Sequence, residues 1–342
     1  MRSFREGRPG GEAAVQARIL ALSGGGFLGL FTGRVLQSLE ERVGEPLARR
    51  FELLAGTSIG GVLALALAFE IPAARIVAVF EEYGQSVFSG RGAPGGPIGR
   101  LVDLSRAVGG PKYSGRALRN ALLGQFGRAT LGESAHAVIV PAVDVARSHA
   151  KIFKSPRKDR VERDRRLPVV DVAMAACAAP AYFPSARVGH RLYADGGLFA
   201  VAPDQVAMHE AEHFDGVPPD RMRMLSIGTA ARHYRPAHPV DPASGAVGWL
   251  AEGRLMLTLI SAQQQHVAAM MADRLGDRYL RLDADWSPDA GLGVDVATPG
   301  ARAHLRAQAS RALAAAPAQL LEKFLGRPVS PSADRNSATA AA

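Results

Sequence analysis

Three short runs in the chain carry residue types whose chemistry depends on their spacing. The first, GTSIGG at 56–61, matches G-x-S-x-G and lies between the apolar run FELLA (51–55) and an apolar stretch that begins at Ile59. A strand that turns sharply into a helix at such a run holds its serine at a strained corner, with the hydroxyl clear of the backbone. Gly56 and Gly60 carry no Cβ to crowd that corner. Ser58 would also stand at the N-terminus of the helix from Ile59, where the helix dipole favours negative charge. A plainer reading of the same residues is a small-residue turn in which Ser58 only caps the helix.

The second run, SGGGFLG at 23–29, again follows a short apolar run and precedes a helical pattern. Consecutive glycines let backbone N–H groups point into one concavity, which can hold a phosphate or the oxyanion of an acyl-transfer transition state. Losing one such donor typically costs about 2.7–4 kcal/mol of transition-state stabilisation. Gly24, Gly26 and Gly29 also spell G-x-G-x-x-G, a dinucleotide-binding fingerprint. That reading requires an acidic residue about twenty positions on, closing the next strand. Here Glu45 stands beside Pro46 and the next strand runs into AGTS, so the oxyanion reading is preferred.

The third run is YADGG at 193–197, where Gly196 and Gly197 would let the Asp195 carboxylate approach another backbone closely. By itself it is an ordinary Asp-Gly turn. With an elbow serine upstream, Asp195 becomes a candidate general base, which Ser58 needs because a free hydroxyl is a weak nucleophile. His190, His209 and His213 are close to Asp195 in the chain, but none sits in a glycine turn, and they read as structural or surface residues. A carboxylate acting as the base requires partial desolvation to raise its proton affinity.

The elements that must position these runs alternate along the chain. Strands are expected at 18–23, 51–55, 137–145 and 222–227, and helices at 30–43, with Leu30, Val35, Leu36 and Leu39 as its apolar face, and at 59–68. Strand–helix alternation implies an α/β fold with a mostly parallel sheet covered by helices on both faces. Residues 244–276 read as one or two helices with an apolar stripe of Leu250, Leu257, Ile260, Val267 and Met271. Residues 1–17 read as a loose arm, 89–111 as a long Gly/Pro-rich insertion of the kind that covers a site, and 328–342 as a disordered tail.

Composition narrows the partners. The 342 residues are 47% hydrophobic, enough for one large α/β domain or two smaller ones. Aromatics are only 6%, which leaves little for base stacking, and no nucleic-acid polymer is expected as a partner. The single cysteine, Cys177, excludes an internal disulfide and a cysteine zinc cluster, and reads as a small buried hydrophobe. Trp249 and Trp286 read as core, with interfacial anchoring as the alternative. The longest clean apolar stretch, 59–69, is too short to span a bilayer, and no apolar run follows Arg2, Arg5 and Arg8, so a reducing cytoplasm is expected. The net charge is +9, and between Arg147 and Leu167 nine Lys/Arg face three Asp/Glu. Such a segment is either a solvated loop or an attractor for an anionic membrane or nucleotide.

Taken in order, the runs resemble the patatin-like phospholipases. SGGGFLG is similar to that family's glycine-rich oxyanion loop and GTSIGG to its elbow. DVAMAACAAPAYFP (171–184) is similar to its small-residue helix with a following Pro-x-x-Phe-Pro segment, YADGG to its aspartate motif, and MLSIGT (224–229) to the strand after it. The resemblance runs from about residue 18 to 230 and implies a three-layer α/β/α sandwich spanning 18–327, with 244–327 as its helical C-terminal part. It implies a Ser58–Asp195 dyad with no catalytic histidine, an oxyanion hole of the Gly24, Gly25 and Gly26 N–H groups, and no cofactor or metal. The implied activity is hydrolysis of phospholipid esters at a membrane surface, the inner membrane for a cytoplasmic protein. Three positions depart from the family pattern: Ser23 stands where an acid is usual, Leu28 where a basic residue is usual, and Ala202 precedes Pro203 where Asn is common. The loss of a cation at Leu28 is expected to weaken the loop's hold on an anionic headgroup.

SAQQQH (261–266) and RYLRLDADW (278–286) are similar to bacterial patatin-like effectors of anti-phage signalling, in which a cyclic oligonucleotide switches on lipid degradation. This second resemblance makes a cyclic oligonucleotide a candidate activator and a homo-oligomer a candidate assembly. The alternatives are a nucleotide-binding module using the glycine loop at 24–29, and an inactive scaffold.

Overall fold

The computed structural model describes residues 17–88, 110–157, 163–236, 241–243, 245–250 and 253–328. The expected arm up to residue 16, most of the expected 89–111 insertion and the tail beyond 328 lie outside the described residues. From the N-terminus run β1 (Ala17–Leu22), α1 (Gly29–Val43), β2 (Leu53–Gly56), α2 (Ile59–Ala68), α3 (Ala73–Val87) and α4 (Arg116–Phe126). Then come β3 (Val138–Asp144), β4 (His149–Lys154), α5 (Val169–Ala176), β5 (Ala186–Val188), β6 (Arg191–Asp195) and α6 (Asp204–His209). The C-terminal part holds β7 (Met222–Ile227), α7 (Ala246–Leu250), α8 (Arg254–Leu275), β8 (Tyr279–Leu282), α9 (Pro299–Ala315) and α10 (Ala318–Leu325).

The strands form one sheet in the order β5-β6-β3-β2-β1-β7-β8, with β4 also on β3. The strands from β3 through β2, β1 and β7 to β8 pair in parallel, while β4, β5 and β6 are antiparallel. Connection length accounts for the change of direction. Parallel neighbours need a crossover, which the helices supply, whereas β3–β4 and β5–β6 are joined by short turns that only an antiparallel pair can use.

Each central strand is apolar on both sides because each side faces a helical layer. Leu20 and Leu22 of β1 and Leu225 and Ile227 of β7 enter the larger core, with α1 to α5, α9 and α10. Ile19 and Ala21 of β1 and Met222 and Met224 of β7 enter the second core, beneath α6. The result is a three-layer α/β/α arrangement. α8 joins the layers: Leu257 and Ile260 belong to the larger core, whereas Val267, Met271 and Leu275, further along the helix, belong to the second. Leu250 falls outside the expected stripe and is exposed, because it ends the separate helix α7. Leu28 is fully buried in the larger core, so this position is a packing site and does not bear on headgroup contact.

The basic run beyond Arg147 is not one free patch. Lys151 pairs with Asp164, Lys154 with Glu210, and buried Arg157 with both Glu210 and Asp215 at 2.8 Å. The pairs to Glu210 and Asp215 fasten β4 and its continuation to the segment after α6, and the pair to Asp164 ties β4 to residues 163–166. Residues 158–162 lie outside the described residues.

Candidate active site

The corner between β2 and α2 is two residues long, Thr57 and Ser58. Ser58 has φ 55° and ψ −127°, a conformation that costs a non-glycine residue about 1–3 kcal/mol and persists only where the surroundings enforce it. The enforcement is backbone packing. A Cβ on Gly56 would lie 2.0 Å from the Gly60 carbonyl oxygen, and one on Gly60 would lie 2.3 Å from that of Leu22. Thr57 donates its hydroxyl to the Ala200 carbonyl at 2.7 Å, tying the corner to the turn that follows β6. The Ser58 hydroxyl makes no cap to α2. It shares a cleft with the Asp195 carboxylate and is close enough to lower that group's proton affinity.

Asp195 ends β6, where its Cα is in register with Ala142 of β3 and its N–H donates to the Ala178 carbonyl at 3.0 Å. Its Oδ1 accepts the Gly197 N–H at 2.7 Å. Gly196 packs against the Pro141 carbonyl, where a Cβ would lie 2.5 Å away. The carboxyl is buried, and its pKa is raised from 3.8 to about 6. Desolvation drives it up and outweighs the Ser58 hydroxyl and the Gly197 N–H, which lower it.

The glycine loop supplies donors beside this pair. A Cβ on Gly24 would touch the Ser58 Cβ at 3.1 Å. The Gly24 N–H, expected in the oxyanion hole, donates instead to the Val201 carbonyl at 2.8 Å, because the turn after β6 runs directly beside the loop. The Phe27 N–H donates to the Val294 carbonyl at 2.7 Å. The N–H groups of Gly25 and Gly26 make no hydrogen bond within the described residues, and both glycines line the same cleft as Ser58 and Asp195. With Gly24 and Phe27 already bonded to protein, the loop is a poor phosphate cradle. Gly29 lies apart from the pair, packed against the Ile59 side chain at the start of α1.

The cleft encloses about 780 Å³, part of it continuous with solvent. Ile59, Leu118, Phe183, Leu198, Met256 and Ile260 make its walls apolar. Cys177 also lines it, but burial first and the Asp195 charge second push its thiol well above the usual pKa, leaving it a neutral, unreactive wall. His190, His209 and His213 are exposed, and the last two stack on each other 5.2 Å apart rather than approaching the pair. A half-buried serine beside a buried carboxylate, two free amides and an apolar cleft can carry nucleophilic attack on the ester of an aliphatic acid.

Three neighbours fall within SAQQQH and RYLRLDADW, runs to which the sequence assigned no place beside the pair. Gln263 and Gln264 of α8 and Arg281 of β8 hydrogen-bond to the loops around the pair, Arg281 through Ser23. The sequence signal was a gap: Gln264 occupies the place in the apolar stripe between Ile260 and Val267 where a hydrophobic residue belongs.

The chain is similar in sequence to known proteins. The chain is 39% identical over 279 residues to a cGAMP-activated phospholipase of Pseudomonas aeruginosa, covering 81% of this chain and 80% of that protein. It is 32% identical over 304 residues to a protein of the same description from Vibrio cholerae, covering 82% and 84%. Among solved structures, VipD from Legionella pneumophila aligns with a TM-score of 0.45 at 13% identity, over 90% of this chain and 67% of that one. A family model for patatin-like phospholipases matches residues 20–208, from β1 through the elbow and Asp195 to α6. The chain belongs to the patatin-like phospholipase family.

Proposed function

We propose that the chain hydrolyses acyl esters of membrane phospholipids through Ser58 and Asp195. The observation that carries this reading is the meeting, in one cleft, of the Ser58 hydroxyl at its strained corner and a buried carboxylate of raised proton affinity. As Ser58 Oγ attacks the ester carbonyl carbon, Asp195 takes its proton, and the carbonyl oxygen becomes an oxyanion. The N–H groups of Gly25 and Gly26 and the N-terminus of α2 stabilise that charge. When the tetrahedral species collapses, the C–O bond to the lysolipid breaks and Asp195 returns the proton to the departing oxygen. Asp195 next draws a proton from water, whose oxygen attacks the acyl-Ser58 carbonyl. Collapse releases the fatty acid, and the proton passes back to Ser58 Oγ.

The substrate comes from a bilayer. Leu198 is 50% exposed at the cleft, next to Phe199, and Leu255, Leu259 and Trp249 are exposed on or beside α8, which forms one wall. These side chains would enter the lipid interface around the mouth, so that Trp249 serves as an anchor rather than as core. No helix among the described residues is long and apolar enough to cross a membrane, so attachment through these residues is peripheral. The names of the two bacterial relatives support a cyclic dinucleotide as the activating signal here as well.

The test is fatty-acid release from phosphatidylethanolamine/phosphatidylglycerol vesicles, with and without cGAMP. Ser58→Ala is expected to lower release about 10³-fold or more and to abolish labelling by a fluorophosphonate. A purified Ser58→Ala protein that still releases fatty acid at a comparable rate sinks the reading.

A further inference from the structure

The two glutamines of α8 each bond to a different loop of the candidate site. Gln263 accepts the Val201 N–H at 3.0 Å and donates to the Gly197 carbonyl at 3.3 Å, bracketing the turn that follows Asp195. Gln264, buried, donates to the Gly24 carbonyl at 3.3 Å and to Thr229 Oγ1 at 3.1 Å, while its Oε1 accepts from Arg281 Nη2. The partners leave no ambiguity about which way the Gln264 amide faces. A guanidinium only donates and a carbonyl only accepts, so the amide oxygen must face Arg281 and the amide nitrogen Gly24. Arg281 is in turn held by Ser23, Ser226 and Asp283, at 3.2, 2.7 and 2.9 Å. Val201 joins the two loops, because its carbonyl accepts the Gly24 N–H.

The bond to Gly24 has a consequence for its neighbour. In a planar trans peptide the carbonyl of one residue and the N–H of the next point in opposite directions. Fixing the Gly24 carbonyl toward Gln264 therefore turns the Gly25 N–H away from α8, and this is one of the two unbonded amides on the cleft. On the other side, Gln263 holds the carbonyl of Gly197, the residue whose own N–H bonds the Asp195 carboxylate.

We infer that Gln263 and Gln264 are positioning residues: through them α8 sets the direction of the Gly25 amide and the seat of the Asp195 carboxylate. The inference rests on the Ser58–Asp195 reading. It gives α8 two jobs, since one to two turns earlier Met256, Leu259 and Ile260 line the cleft. The matched family segment ends at residue 208, so these positioning bonds come from outside it.

Steady-state hydrolysis of p-nitrophenyl butyrate by the full chain with cGAMP present, together with melting curves, tests the assignment. Gln264→Glu keeps an acceptor for Arg281 but cannot donate to Gly24. It is expected to melt near wild type, to keep its KM, and to lose kcat by on the order of tenfold to a hundredfold, with the acidic limb of the pH–rate profile unmoved. Should it melt early, Gln264→Asn, which keeps the amide but withdraws it by one methylene, is expected to show the same kcat loss. Gln263→Met loosens the 197–201 turn and weakens the Gly197 bond to Asp195, so its acidic limb should move to higher pH. Cys177, the titratable neighbour that feels the Asp195 charge, stays neutral throughout this range. A folded Gln264 variant with wild-type kcat, or an unmoved limb in Gln263→Met, overturns the inference. If Ser58→Ala still hydrolyses this ester, the dyad reading itself has failed, whereas loss in Ser58→Ala without loss in the Gln264 variants removes the positioning role alone.

Discussion

At Asp195 two influences oppose each other. Burial favours the neutral carboxyl, the Ser58 hydroxyl and the Gly197 N–H favour the carboxylate, and burial prevails, leaving a pKa of about 6. A base of this strength is mostly ionised near neutrality yet keeps enough affinity to take a serine proton. The rate constant kcat/KM should therefore rise with pH through about 6 and level off above it, and a profile flat across that range would contradict the assignment. The same shift has a stability consequence of definite sign. Because the folded carboxyl binds its proton more tightly than the unfolded one, with its ordinary value of 3.8, its contribution is full below that value and is lost as pH rises through about 6. Asp195→Asn keeps an oxygen acceptor for the Gly197 N–H and removes the ionisation. It should be more stable than wild type at about pH 8, by on the order of 1–3 kcal/mol, with the gap closing near pH 4. Denaturant titrations at the two pH values check this, and equal stability at both counts against a buried base.

At the scale of elements, the corner depends on β1, β2 and α2 meeting backbone to backbone. A Cβ on Gly60 would lie 2.3 Å from the Leu22 oxygen and 2.6 Å from that of Ser23, and neither atom can rotate away as a side chain would. Gly60→Ala is expected to cost at least about 2 kcal/mol in urea denaturation and to lower activity in the molecules that remain folded, because α2 must shift away from β1 and carry Ser58 with it. A variant as stable and active as wild type would show that the contact is slack. The elements around this corner were legible because each carries its own local signal: an apolar run, turn glycines, a helical period. The antiparallel strands β4 to β6 were less so, since the direction of a strand depends on where its partner lies.

At the scale of the whole molecule, two helical layers bury both faces of the sheet, and around the cleft Leu198, Phe199, Leu255 and Leu259 stay exposed. Phe199 and Leu255 are 41% and 39% exposed there without lining the cleft. Phe199→Asp and Leu255→Asp should each weaken co-sedimentation with phosphatidylglycerol vesicles by about tenfold, the scale set by withdrawing one large apolar side chain from lipid. Hydrolysis of a water-soluble ester should persist. Undiminished vesicle binding in the double variant would place the membrane face elsewhere.

The succession of strand, turn and helix around Ser58, the glycine loop and the Asp-Gly-Gly turn are local arrangements that contiguous residues signal, because turn chemistry and helix initiation are settled within a few peptide units, whereas the strained corner at Ser58 is held by the packing of β1 against it. Which distant atoms meet was decided only by the tertiary packing. The Gly24 amide was open to a ligand as far as its neighbours could tell, until the turn at Val201 folded beside it. Gln264 was a gap in an apolar stripe until α8 brought it to the glycine loop and β8 set Arg281 against it. Hydrogen-bond partners far apart in the chain follow from how the layers close on one another, and no short stretch of sequence carries that information.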